Sequence, residues 1–197
     1  MNDKYKEKSQ RIQKSYEDRK EKADKEKGLI IVHTGSGKGK STAAFGMLLR
    51  AIHHGFQIGV VQFIKGPMAT GEAEVIKKFG DQVEWHRMGE GFTWDTQDKE
   101  LDRRAARNAW EKSLELMRRP DVGMVILDEI NVAVRHEQIP LQEVLDALRE
   151  KREMLHVVLT GRGAKDELIE MADLVTEMKM VKHPYRAGIK AQKGIEF

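Results

Sequence analysis

The chain has 197 residues, enough for one α/β domain with a sizeable core and too few for two, and no apolar run approaches the roughly 18 residues of a membrane span. It contains no cysteine, which excludes a disulfide framework and thiolate catalysis and makes a reducing, cytoplasmic setting the expectation. Residues 1–27 hold ten Lys/Arg against seven Asp/Glu and so carry the whole net charge of +3; the rest is balanced and offers no net excess suited to coating nucleic acid.

Residues 1–27 contain neither Pro nor Gly and are dominated by Lys, Glu, Asp and Gln, the composition of a solvated helix or of a disordered leader. The segment has no apolar signal-peptide core. Its sizeable apolar side chains, Tyr5, Ile12 and Tyr16, fall near one helical face. Residues 1–27 are therefore either a loose tail or a helix that docks on another surface, such as a second subunit. The α/β domain is expected over 28–197.

From Gly28 onward the pattern alternates. Strands are expected at 29–33, 57–63, 82–87, 124–127, 156–160 and 174–177, and helices at 41–54, 71–79, 96–118, 141–151 and 165–172. Pro120 ends the third of these helices, and Pro140 stands where a first helical residue belongs. Short, continuously apolar strands alternating with helices imply a mostly parallel central sheet with helices on both faces. In such a sheet ligands bind at the carboxyl ends of the strands.

Between the first strand and the first helix of this domain, residues 34–42 read Thr-Gly-Ser-Gly-Lys-Gly-Lys-Ser-Thr. The common phosphate-binding pattern is G-x-x-x-x-G-K-[ST]. Gly39, Lys40 and Ser41 fill its second half, but Thr34 stands at its first glycine, and Gly35 leaves a loop one residue tighter. The strand–loop–helix setting separates a working loop from a chance match and predicts a phosphate-loop NTPase-like fold. Gly35, Gly37 and Gly39 let successive N–H groups turn inward, and the following helix adds its positive end. Lys40 supplies a point charge to phosphate, and the Ser41 hydroxyl suits Mg²⁺.

Three further segments carry chemistry. Residues 124–129, Met-Val-Ile-Leu-Asp-Glu, form an apolar strand ending in two carboxylates; Asp128 and Glu129 are both candidates to approach Mg²⁺ beside Ser41. In an ordinary ATPase the second acid would instead polarise a water. Thr160-Gly-Arg-Gly163 places Arg162 at the end of another apolar strand, where it clamps phosphate oxygens or is a solvated surface charge. Gly91-Phe-Thr-Trp94 follows a strand, and its Phe92 and Trp94 either plug the core or form a wall for a large flat ligand. The seven histidines are scattered, without H-x-H or H-x₃-H spacing, and read as structural or solvated.

With these residues in place, the chain closely resembles the ATP:corrinoid adenosyltransferases that carry a phosphate loop. The carriers are the tight loop with Ala43-Ala-Phe-Gly46, Gly59-Val-Val-Gln-Phe-Ile-Lys-Gly66, Gly91-Phe-Thr-Trp94, Val125-Ile-Leu-Asp-Glu129, Thr160-Gly-Arg-Gly163 and the tail from Val181 to Gly194. The resemblance implies transfer of the 5′-deoxyadenosyl group of ATP to the Co(I) of cobalamin, cobinamide or cobyrinic acid a,c-diamide, with triphosphate leaving. It implies that ATP lies in reversed polarity. Gly35, Ser36, Gly37, Lys38, Gly39, Lys40, Ser41 and Thr42 would cradle the triphosphate, Arg162 would add a phosphate contact, and Ser41 with Glu129 would hold Mg²⁺ with Asp128 behind or beside them. Phe92 and Trp94 would cover the lower corrin face and exclude the axial base, easing reduction by a flavoprotein. The leader would reach over the partner's active site in a homodimer. Ser41 departs from the threonine of many relatives but offers the same hydroxyl. The alternatives are a phosphate-loop ATPase or kinase, and a non-catalytic ATP-gated corrinoid-binding module.

Overall fold

The computed structural model describes residues 2–63, 71–88 and 99–195. Strands β1 (Ile30–Thr34), β2 (Gln57–Gln62), β3 (Val83–Arg87), β4 (Val122–Asp128), β5 (His156–Thr160) and β6 (Leu174–Glu177) form one sheet. Its order is β3-β2-β4-β5-β1-β6, and every pairing is parallel. From β1 the chain jumps to β2 and later returns to fill the gap with β4 and β5. As a result β5 stands between the strand that feeds the glycine loop and the strand that ends in acids, and all three open onto one carboxyl edge.

The helices are α1 (Asn2–Lys22), α2 (Lys40–His53), α3 (Gly71–Ile76), α4 (Lys99–Arg118), α5 (Ile130–Arg135), α6 (Leu141–Arg149) and α7 (Asp166–Met171). Alternation along each strand sends side chains to two cores. On one face Val32, Val61, Leu127 and Leu159 meet Trp110 and Leu116 of α4, Ile130 of α5, Val144 and Leu148 of α6 and Leu168 of α7. On the other, Ile31, Val60, Ile126 and Val158 meet Ala44, Phe45, Leu48 and Ala51 of α2. Helix α4 lies close against β2: a Cβ on Gly59 would sit 2.8 Å from Leu116 Cδ1.

Several boundaries differ from the sequence expectation. Helix α3 stops at Ile76 and continues as a 3-10 turn over Lys77–Gln82, because Gly80 takes φ 58 and breaks the α-helical path. Helix α5, which the pattern did not reveal, follows directly on β4. Residues 96–98 of the expected third helix, and Phe92 and Trp94, lie outside the described residues. The leader is helical as α1, and its Tyr5, Ile12 and Tyr16 are exposed. No helix among the described residues is long and apolar enough to cross a membrane.

Strand β3 is tied to α4 by charge. Glu84 receives Lys112 Nζ at 2.8 Å and the Arg119 guanidinium, and faces His86 Nε2 at 2.6 Å. Chiefly through the Lys112 hydrogen bond, its carboxyl is pulled from the ordinary 4.5 to about 2. A folded-state pKa below the unfolded one gives stability that is present above the unfolded value and lost as pH falls through the folded value. Glu84→Gln should therefore be less stable than the parent near neutrality, with the gap closing between about pH 5 and about pH 2 in denaturant titrations. A gap independent of pH would contradict this role.

Candidate active site

The glycine loop is shaped by what crosses it. After β6 the chain turns back over the loop: Met178 N–H donates to Thr34 O at 2.9 Å, Gly37 N–H donates to Met178 O at 2.6 Å, and Met180 N–H donates to Ser36 Oγ at 3.4 Å. A Cβ at Gly35 would lie 2.4 Å from Met178 O, and one at Gly37 would lie 2.8 Å from the same atom. Gly39 serves a different need: at φ 102 it is the left-handed residue that starts α2. Helix α2 has no side-chain cap and no acid in its first turn, which leaves its positive end suited to an anion.

Lys40 is nearly buried and donates to Gly35 O at 3.1 Å and Gly37 O at 2.5 Å. Burial is the main cause pushing its pKa down; the Glu129 carboxylate opposes this, while Arg162 and Lys38 reinforce it. The ammonium is thus braced by loop carbonyls in a poorly solvated position, where an arriving polyanion would be a stronger partner.

Behind the loop lies a polar cluster. Asp128, at 0% exposure, accepts Ser41 Oγ at 2.7 Å and Thr160 Oγ1 at 2.8 Å on Oδ1, and Gln62 Nε2 at 2.9 Å on Oδ2. Thr160 Oγ1 in turn accepts the Glu129 N–H at 2.9 Å, and Gln62 Oε1 accepts Trp85 Nε1–H at 3.1 Å. His33 of β1, in register with Thr160, is buried with both ring nitrogens lacking a partner among the described residues, and burial lowers its pKa.

Glu129 takes φ 66, an uncommon conformation for a residue with a side chain, and so breaks from the strand direction before α5 begins. Gly161, at φ 127, makes room beside it: a Cβ there would be 3.2 Å from Glu129 Oε2 and 3.1 Å from Asn131 Cβ. Asn131 Nδ2 donates to Gly161 O at 3.3 Å, anchoring the turn that carries the exposed Arg162.

One cavity of about 620 Å³ gathers Gly37, Lys38, Gly39, Lys40, Ser41, Thr42, Glu129 and Arg162, together with Glu72 and the apolar Phe45, Leu49, Val75 and Ile76. Of the residues expected from sequence, the structure therefore brings together the second half of the loop, one of the two acids and the arginine. Gly35 and Ser36 belong to the loop but sit under the crossing tail, and Asp128 is buried behind Ser41. Sequence reasoning did not find Gln62, Thr160 or Trp85. The available signal was a lone polar residue ending an apolar strand, Gln62 in β2 and Thr160 in β5.

The sequence profile of the family described as ATP:corrinoid adenosyltransferase BtuR/CobO/CobP matches residues 26–197. A corrinoid adenosyltransferase of a Sinorhizobium species is 60% identical over 174 residues, covering 87% of this chain and 81% of that protein. The corrinoid adenosyltransferase of Pseudomonas aeruginosa is 53% identical, covering 87% and 85%. That of Escherichia coli K12 is 43% identical over 195 residues, covering 99% and 98%.

Proposed function

This chain belongs to the ATP:corrinoid adenosyltransferase family and transfers the adenosyl group of ATP to a corrinoid, and we propose that it does so by gripping the triphosphate as a leaving group. The observation that carries this reading is the make-up of the cavity. Lys38, Lys40, Arg162 and the start of α2 line it together with the acids Glu72 and Glu129 and the apolar Phe45, Leu49, Val75 and Ile76. A polyanion suits the cations and the helix start, and a flat organic group suits the apolar side chains.

The nucleophile is the electron pair of Co(I) in the corrinoid substrate. It forms the Co–C5′ bond as the C5′–O bond breaks, and the bonding pair leaves on the triphosphate. No protein group has to attack or to remove a proton, so the chain contributes placement and charge stabilisation. Lys40 and the N–H groups from Lys38 to Thr42 hold the triphosphate, the Gly37 N–H being spent on Met178 O, and Arg162 closes on its oxygens from the β5 rim. The Ser41 hydroxyl and the Glu129 carboxylate are hard oxygen donors at the same cavity. Such a sparse set fits Mg²⁺, which takes one or two protein ligands and fills its shell with phosphate and water. Bound there, the ion would neutralise charge on the departing triphosphate. Asp128, buried behind Ser41, orients that hydroxyl.

By the same resemblance we propose that Phe92 and Trp94 cover the lower corrin face, that a flavoprotein delivers the electron that makes Co(I), and that the protein works in the cytoplasm. We further propose a homodimer in which α1 reaches over the partner's active site; the exposed Tyr5, Ile12 and Tyr16 on that helix support it.

If the loop grips the leaving group, inorganic triphosphate should compete with ATP more strongly than adenosine does. Arg162→Ala should weaken triphosphate about tenfold while leaving adenosine unchanged, the low end of the about 1.5–3 kcal/mol for a hydrogen bond to a charged group because this residue is exposed. Equal triphosphate affinity in the parent and the variant would sink the Arg162 assignment.

A further inference from the structure

On the side of the sheet that faces α2, side chains from four adjacent strands form an unbroken polar row: Trp85 of β3, Gln62 of β2, Asp128 of β4 and Thr160 of β5. Each bond in the row has a forced direction. The indole Nε1–H of Trp85 only donates, so the atom it meets at 3.1 Å on Gln62 must be the amide oxygen. The Gln62 NH₂ is then turned to Asp128 Oδ2 at 2.9 Å. Reversing the amide would set NH₂ against N–H and carbonyl against carboxylate. Gln62 is 1% exposed, so water is not at hand to repair either clash.

With Oδ2 engaged, Asp128 Oδ1 takes the protons of both Ser41 and Thr160. Ser41 has then spent its one proton inward and turns only lone pairs to the cavity, as a ligand to a cation must. Thr160, having donated to Asp128, accepts the N–H of Glu129 and so fixes the residue that carries the rim carboxylate. Neither Gln62 nor Trp85 is among the residues lining the cavity.

We propose that Gln62, held by Trp85, is a positioning residue for adenosyl transfer: through Asp128 it sets how Ser41 and Glu129 meet Mg²⁺ and triphosphate. This rests on the assignment of Ser41 and Glu129 to Mg²⁺. The rival is plain packing, since the Trp85 ring also stands 5.1 Å from Phe45 of the cavity wall. Trp85→Phe keeps a ring there and deletes only the donor.

The test measures, on the full chain, the Mg²⁺ concentration for half-maximal activity, KM for ATP, kcat and the melting temperature. Removing a group that orients a metal ligand typically lowers metal affinity or activity about 10–100-fold. Gln62→Leu should therefore raise the Mg²⁺ requirement at least about tenfold. Trp85→Phe should raise it less, and should add nothing in the Gln62→Leu background because the indole acts only through Gln62. Additive effects, or a lowered melting temperature with an unmoved Mg²⁺ requirement, would assign the pair to packing and overturn the proposal. Asp128→Asn and Glu129→Gln run beside them. If these two shift the Mg²⁺ requirement and Gln62→Leu does not, the positioning role alone is wrong. If neither shifts it, the metal assignment has failed and the positioning role falls with it. Should Gln62→Leu not fold, Trp85→Phe decides alone: an unchanged Mg²⁺ requirement there overturns the proposal.

Discussion

Lys40→Met should lower kcat/KM for ATP by roughly a hundredfold to a thousandfold, the range seen when one preorganised donor to a developing negative charge is removed. Three features make this position dominant. Lys40 is 7% exposed and its pKa is pushed down mainly by burial, so it stands where water screens it poorly. It is braced by the carbonyls of Gly35 and Gly37, which hold it at the centre of the loop. It is also on the first turn of α2, where the helix end adds to its field. Methionine keeps most of the stem volume and removes the charge, so the variant should fold, and its melting temperature checks that. Arg162→Ala should lose less, because the guanidinium is exposed and solvent offsets part of its attraction. A folded Lys40→Met variant with near-parental kcat/KM would mean that triphosphate is not held by this loop.

Phe92→Ala and Trp94→Ala should separate two activities that are equal demands on an ordinary transferase. If the pair shields the lower face of the corrin, each variant should transfer adenosyl to pre-reduced Co(I) at close to the parental rate and fail mainly from Co(II) plus reductant. Excluding the axial ligand destabilises five-coordinate Co(II) relative to Co(I), and that advantage vanishes once reduction has been done beforehand. The Co(II) reaction should slow by roughly tenfold to a hundredfold, the rate cost of about 1.4–2.7 kcal/mol. Single-turnover rates from the two oxidation states, on the same preparation, check it. Equal slowing from both would place the aromatics in general substrate binding or in the core.

Much of this architecture was legible because strong local signals agreed. The apolar run before Thr34, the glycine loop and the amphipathic stretch after it each pointed to the same strand–loop–helix unit, and β1 and α2 fall within a residue of expectation. Asp128 stood out as an acid ending an apolar strand. Helix α5 did not, because Ile130-Asn-Val-Ala-Val-Arg135 is six residues rich in β-branched side chains, too short to show a helical period. Its helix is set by the left-handed turn at Glu129 and by burial of Ile130 and Val134. Gln62 and Thr160 acquire meaning only from their strand neighbours. Strand alternation says that the sheet is parallel, but not that β4 lies between β2 and β5. Nor did the missing first glycine explain itself: Gly35 and Gly37 are shaped by a tail more than 140 residues downstream, at Met178 and Lys179.

ATP serves as the alkyl donor and not as fuel. The measurement that bears on it most directly is product analysis after incubating the protein with ATP, Mg²⁺ and a Co(I) corrinoid. Inorganic triphosphate and a light-sensitive alkyl-cobalt corrinoid should appear in equal amounts, both dependent on Lys40. ADP with phosphate, and a corrinoid left unalkylated, would contradict it.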